Sequence, residues 1–289
     1  MAVLAHPDDE AFGCGGTLAK YAAQGCDVYL VTATRGEAGQ ITKPELANPA
    51  NLPAVREREL RCACQAYGIH PPRFLDYVDG QLPIVHQGQA VGKLVRLIRE
   101  LRPQVLVTFG PDGIYGHYDH IAVHRWATIA VDLATDADCF PDADMCQPHQ
   151  VDKVYFVTLA QEQVAAMFEG NQPAAVMMDG VPFYFATRAL GEISTRIDVS
   201  DYWAQKLQGI RCHATQVNED DYTTPVNKAL SERTDSPAWH QQETFMLARS
   251  TVGQPSGVET DLLAGLRLSS NPIHTQRPGS APGKTPNEK

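Results

Sequence analysis

Val105-Leu106-Val107-Thr108-Phe109 is the stretch on which the fold turns. An unbroken run rich in β-branched residues reads as a strand buried on both faces, the kind that parallel sheets use. A helix is expected just before it, over Val91 to Leu101, with Leu94, Val95, Ile98 and Leu101 on one stripe. It stops at Arg102, because Pro103 disfavours helical backbone in the residue before it. After the strand comes a polar loop, Gly110 to His120, and then a second helical pattern, Ala122 to Leu133.

The same alternation extends in both directions. Val3 to Ala5, Val28 to Thr32, Arg73 to Leu75 and Val154 to Leu159 read as strands; Thr17 to Ala23 and Val55 to Tyr67 read as helices. Strands alternating with helices give a Rossmann-like α/β fold, a mostly parallel sheet flanked by helices with right-handed crossovers. The C-terminal portion is less regular. Pro173 to Arg188 reads as loop and strand, Ile193 to Ile197 and Glu243 to Leu247 as strands, and Tyr202 to Cys212 as a helix capped by Ser200 or Asp201. No linker or repeat divides the chain, so one domain over residues 1–268 is expected, with a flexible Ser-, Pro- and Gly-rich tail over 269–289.

Composition narrows the function. Of 289 residues, 43% are apolar and 20% charged, which excludes global disorder. The net charge of −10 argues against nucleic-acid or anionic-membrane surfaces, which need clustered Lys and Arg. No apolar run approaches the ~20 residues that span a bilayer. Met1 runs straight into Ala2-Val3-Leu4-Ala5 with no basic region, so no secretory signal is expected. Seven cysteines at irregular spacing, without a C-x-x-C pair, are expected as reduced thiols of a cytoplasmic protein, with a Cys139–Cys146 disulfide as the alternative. The composition fixes no oligomeric state and is compatible with a homo-oligomer.

In a parallel sheet, ligands bind outside the carboxyl ends of the strands. Two polar clusters fall there. His6-Pro7-Asp8-Asp9-Glu10 follows the first strand, and Tyr115-Gly116-His117-Tyr118-Asp119-His120 follows Val105 to Phe109. Helix capping by Asp8 or Asp9 would explain one carboxylate but leave His6 and the other Asp without a task. A metal explains more: His6 and Asp9 converge across a tight turn, and a further His comes from the second cluster. His124 lies one helical turn beyond His120 and reads as a supporting residue rather than a ligand. Gly13-Cys14-Gly15-Gly16 lacks the third glycine of a dinucleotide fingerprint and the Lys of a phosphate loop, and reads as room for close packing.

Together, Ala5-His6-Pro7-Asp8-Asp9-Glu10 and Tyr115-Gly116-His117-Tyr118-Asp119-His120 resemble the LmbE-like, or PIG-L-like, zinc de-N-acetylases. These include the N-acetylglucosaminyl-phosphatidylinositol deacetylases and relatives in the mycothiol and bacillithiol pathways. Thr34 to Gly39, Arg56-x-x-Glu59-Leu60 and Arg211 to Gln216 resemble further family signatures, while Tyr118 stands where that family commonly has Pro. The resemblance implies a metal held by His6, Asp9 and His120, with a fourth position left for water. Zinc is the implied ion; two His and a carboxylate also suit Fe(II). It further implies Asp8 as general base, His117 as the imidazole that assists the intermediate or protonates the amine, Asp119 as its orienting partner, and Tyr115 as an oxyanion-stabilising phenol. Asp119 beside His117 would favour the charged imidazolium. Arg56 and Asp79 match positions that contact sugar hydroxyls in relatives. The implied reaction is removal of an N-acetyl group from a glucosamine-type sugar. An amidase of a larger thiol conjugate and a non-catalytic carbohydrate-binding protein are the alternatives.

Overall fold

The computed structural model of the chain describes residues 1–141, 147–167, 175–178, 180–217 and 241–266. Strands β1 (Ala2–Leu4), β2 (Leu30–Thr32), β3 (Arg73–Phe74), β4 (Val105–Phe109) and β5 (Lys153–Ala160) are parallel neighbours in the order β3-β2-β1-β4-β5. Two-sided burial explains the composition of β1, β2 and β4: Leu4, Leu30 and Leu106 are each at most 1% exposed. The chain leaves β1 toward one edge and returns at β4 to build toward the other. The switch point, where ligands bind in such sheets, therefore lies between β1 and β4. Both polar clusters begin there.

Among the described residues the helices are α1 (Asp9–Gly13), α2 (Gly15–Ala23), α3 (Leu52–Tyr67), α4 (Gln87–Leu101), α5 (Gly113–Gly116), α6 (Tyr118–Leu133), α7 (Gln161–Met167) and α8 (Trp203–Cys212). One group, α1, α2, α3 and α8, packs together; α4 packs on α6. The predicted stripe of α4 is its inner face, with Leu94, Val95 and Ile98 fully buried. The glycine run provides close packing, as read. A Cβ on Gly16 would lie 2.7 Å from Val199, and one on Gly15 2.8 Å from the Tyr67 hydroxyl.

The C-terminal portion adds β6 (Ala175–Met178) and β7 (Val181–Tyr184) as a separate hairpin and β8 (Thr187–Arg188) as a short parallel pairing to β5. It also adds β9 (Thr195–Asp198) and β10 (Gln242–Ser250), which close the sheet edge in the order β5-β10-β9, with β10 antiparallel to both of its neighbours. Neither Ser200 nor Asp201 caps α8. They form a single 3₁₀ turn held by Asp198, whose carboxylate accepts from the Ser200 N–H at 2.9 Å, and α8 starts at Trp203. The cysteines also depart from expectation. Cys62 on α3 and Cys212 at the end of α8 form a disulfide, because packing these helices brings their Cα atoms to 5.7 Å. Cys139 is a free thiol; Cys146 and the 269–289 tail lie outside the described residues.

Candidate metal centre and active site

The loop after β1 folds back on itself. The Asp9 Oδ2 atom accepts from the Ala5 and His6 backbone N–H groups at 3.1 and 2.7 Å, which turns this carboxylate toward the end of β1. Asp8 occupies the N-cap position of α1 but makes no side-chain capping bond there. Its φ of 103° lies in the left-handed region, a strain of ~1–3 kcal/mol for a residue with a Cβ. The Asp8 carboxylate accepts instead from Arg56 Nη2 at 3.1 Å. Helix capping is thus not what these acids do.

The loop after β4 is kinked at Ile114, where φ is 70°, and the Asp112 carboxylate accepts from the Ile114 N–H at 3.0 Å. That turn delivers His117 to the N-cap of α6, where Nδ1 accepts from the Asp119 N–H at 3.2 Å. His120 stacks on Phe109, ring centroids 4.0 Å apart, and its Nδ1 lies 3.2 Å from the Gly113 carbonyl. A bond to a carbonyl requires the proton on Nδ1, which leaves Nε2 with a free lone pair. That Nε2 is buried, has no hydrogen-bond partner, and lies 3.2 Å from Asp9 Oδ1.

His6 is set up in the complementary sense. Its Nε2 faces Asp79 Oδ1 at 3.0 Å and Asp119 Oδ2 at 3.2 Å, so Nε2 carries the proton and Nδ1 is left 3.5 Å from Asp9 Oδ2. Burial alone would lower the His6 pKa; Asp119, Asp79 and Asp9 overcome it and raise the value well above normal. Burial likewise works to raise Asp9, but His120 and His6 hold it well below the carboxylate range. Carboxylates gathered around two buried imidazoles are what a cation would neutralise, and an orphaned buried nitrogen is what it would satisfy. The His6, Asp9 and His120 set therefore fits a divalent ion.

Ligand-type atoms also cluster within 4.8 Å in two other combinations, His6-His117-His120 and His6-Asp79-Asp119. The second is a brace: Asp119 accepts from the Gly80 and Leu82 N–H groups at 2.7 and 3.2 Å, and Asp79 from the Ala38 N–H at 3.0 Å. Its oxygens are already engaged, which orients His6 rather than competing with it. His124 is no ligand; its Nδ1 bonds the Phe109 carbonyl at 2.9 Å.

Three expected roles change. The Asp119 carboxylate does not orient the His117 ring, because the first turn of α6 points it at His6 and the Gly80–Leu82 backbone. Nor is His117 held as an imidazolium. Burial, then the neighbouring His120 and His6, pushes its pKa down to about 4, against the weaker pull of the acids. Arg56 and Asp79 do not line an open sugar site either. Arg56 is 3% exposed and donates to the Gly36 and Pro7 carbonyls as well as to Asp8; Asp79 is spent on His6 and Ala38. Tyr115 stands edge-on to His117 and His120, with centroids 5.7 and 5.5 Å away, and burial keeps its phenol protonated.

Comparison with known proteins resolves the family. A model of GlcNAc-PI de-N-acetylases, the PIG-L family, matches residues 1–131, the part that carries both loops. A 1D-myo-inositol 2-acetamido-2-deoxy-alpha-D-glucopyranoside deacetylase of Streptomyces griseus is 38% identical, over 92% of this chain and 88% of its own. The chain belongs to the PIG-L family. It is an amide hydrolase of the de-N-acetylase class. The fold agrees: N,N'-diacetylchitobiose deacetylase from Pyrococcus horikoshii superposes with a TM-score of 0.62 at 20% identity, over 85% of this chain and 83% of that one. A 4-carboxy-2-hydroxymuconate hydratase from Pseudomonas putida superposes almost as well, with a TM-score of 0.60 at 19% identity, over 88% and 98% of the two chains. Fold alone therefore does not fix the reaction, and in this PIG-L member the assignment rests on sequence relatives.

Sequence reasoning gave Glu10 and His213 no task, yet both are fully buried and bonded at 2.7 Å. It likewise missed Glu59, whose carboxylate accepts from the Thr215 N–H and hydroxyl, each at 2.8 Å. The available signal was only that Glu10, Glu59 and His213 all sit within motifs typical of the PIG-L family.

Proposed function

We propose that this enzyme removes the acetyl group from a 2-acetamido-2-deoxyglucose unit carried on an inositol-type polyol, using one zinc ion held by His6, Asp9 and His120. The observation that carries the reading is the orphaned Nε2 of His120 set against Asp9, with His6 Nδ1 on the other oxygen of the same carboxylate. The polyol follows from relatives that match along nearly the whole chain and are named as 1D-myo-inositol 2-acetamido-2-deoxy-alpha-D-glucopyranoside deacetylases. When bound, the cation supplies a Lewis acid that polarises the acetamide carbonyl and makes water easier to deprotonate.

The protein's own residues do the rest. Asp8 takes the proton of the attacking water. Burial raises its pKa to about 6 against the opposing charge of Arg56, so at neutral pH it is ionised yet basic enough to accept a proton. Arg56 aims that carboxylate. Having accepted the proton, Asp8 returns it to the departing nitrogen, and acetate and a free amine result. His117 serves as a neutral donor. Its Nδ1 is occupied by the Asp119 N–H, so its single proton sits on Nε2 and is offered to the acetyl oxygen as negative charge builds there. Tyr115 supplies a second proton-bearing group beside it.

The described residues contain no helix long and apolar enough to cross a membrane. The proposal places the enzyme in the cytoplasm. The test is acetate and amine release by metal-loaded protein from inositol-linked N-acetylglucosamine, free N-acetylglucosamine and N-acylated thiol conjugates. Turnover fastest on the inositol-linked sugar is expected. Preference for the thiol conjugate would replace the reading with the amidase alternative.

A further inference from the structure

Asp8 makes its contacts through a strained backbone, and something must hold that backbone in place. Its φ of 103° puts the Asp8 N–H on the inner side of the turn, where it donates to Glu10 Oε2 at 3.0 Å. The other oxygen of Glu10 faces His213 Nε2 at 2.7 Å. Glu10 and His213 are both 0% exposed, so this is a buried pair with no solvent to compete for it. His213 comes from 203 residues away, immediately after α8, and its own backbone is tied down: its N–H donates to the Ile210 carbonyl at 3.1 Å and its carbonyl accepts from Gln216 at 2.9 Å. The pair thus connects a fixed point at the end of α8 to the one peptide whose conformation sets where the Asp8 carboxylate stands.

We infer that Glu10 and His213 are positioning residues for the reaction: together they hold the left-handed conformation of Asp8 and thereby aim the carboxylate that Arg56 grips from the other side. The inference rests on the reading of Asp8 as the base. Neither residue needs to touch substrate or metal. Glu10 must accept from two donors at once, the Asp8 N–H and the His213 ring, which only a carboxylate does with both oxygens. A glutamine of the same shape keeps one acceptor and turns its NH₂ toward the His213 ring, which can receive it only by moving its own proton to Nδ1, a buried atom with no partner.

Glu10→Gln in the metal-loaded enzyme is therefore expected to lower kcat by about 10–100-fold, the range seen when a supporting contact is lost or a reacting group shifts. KM and bound metal per chain should stay at wild-type levels, with the folded fraction checked by circular dichroism. His213→Gln keeps an N–H at the position of Nε2 and should recover most of what His213→Ala loses. The decisive comparison adds Asp8→Asn. With the base removed, Glu10→Gln should have no further effect on the residual turnover, because there is nothing left to aim. If Asp8→Asn alone keeps wild-type turnover, the reading of the base fails. If Asp8→Asn is slow but Glu10→Gln lowers its residual rate by the same factor as in wild type, the positioning inference fails. Should Glu10→Gln not fold, equal kcat for wild type, His213→Gln and His213→Ala at equal folded fraction would also overturn it.

Discussion

The loops after β1 and β4 hold the groups proposed for chemistry close together in sequence, whereas the C-terminal part of the chain reaches the same region through single side chains from far away. His6, Asp8 and Asp9 share one turn, and Tyr115, His117 and His120 share another. By contrast, His213 meets Glu10 across 203 residues, and Glu243 receives the first N–H groups of α2, at Gly16 and Thr17, across 227 and 226. Chemistry is carried by local turns at a topological switch point, and its precision is supplied by distant pairs. The two kinds of residue should fail differently when altered.

The largest effect is expected where two histidines on one helix part company. His120→Ala should abolish metal binding and reduce deacetylation to background. His124→Ala, one turn along α6, should keep metal and most activity, since its ring only bonds the Phe109 carbonyl. Metal analysis of the two purified variants checks this. Next is Asp8→Asn, which removes the proposed base without touching the proposed ligands: kcat should fall by about 10²–10⁴-fold at full metal content. A variant that loses metal as well would move Asp8 from base to ligand.

Asp79→Asn probes support rather than chemistry. It weakens the grip on His6 Nε2, and competition with a chelator should show metal affinity lower by about 10–100-fold. Acidity should act through the same group. The carboxylates around His6 raise its pKa, so on lowering pH a proton comes to compete with the metal for His6 before it would for an ordinary imidazole. Metal affinity is expected to fall as pH drops through that raised value. The rate should also acquire an acid limb near the Asp8 pKa of about 6, absent from Asp8→Asn. Smallest in activity is Cys62→Ser. The bridge spans 150 residues and joins α3 to α8, so thermal melting should report a loss of up to about 5 kcal/mol with turnover at 25 °C unchanged.

What was legible in the sequence follows the same division. Buried strands with local hydrophobic patterns, such as Val105 to Phe109, and polar clusters directly after them announce themselves within a short window. The parallel sheet, the strand ends that carry the site and the residue types of both loops could be read that way. Side-chain direction could not. Asp119 is next to the His117–His120 turn in sequence, yet its carboxylate serves His6 from the other loop, because the first turn of α6 decides where it points. Arg56 carried a surface-type residue's signal and is buried beneath Asp8. Glu10 with His213 and Cys62 with Cys212 depend on how α1, α3 and α8 pack, which no local pattern encodes.

The central claim is that the two loops build one cation site from His6 Nδ1, Asp9 and His120 Nε2. Anomalous diffraction at the zinc edge from a zinc-loaded crystal tests it most directly. One peak is expected, contacted by those three side chains at ~2.0–2.2 Å, with Asp79 and Asp119 still bonded to His6 Nε2. A peak coordinated by Asp79 and Asp119 in their place, or no peak between the two loops in a crystal that binds zinc elsewhere, would contradict the account.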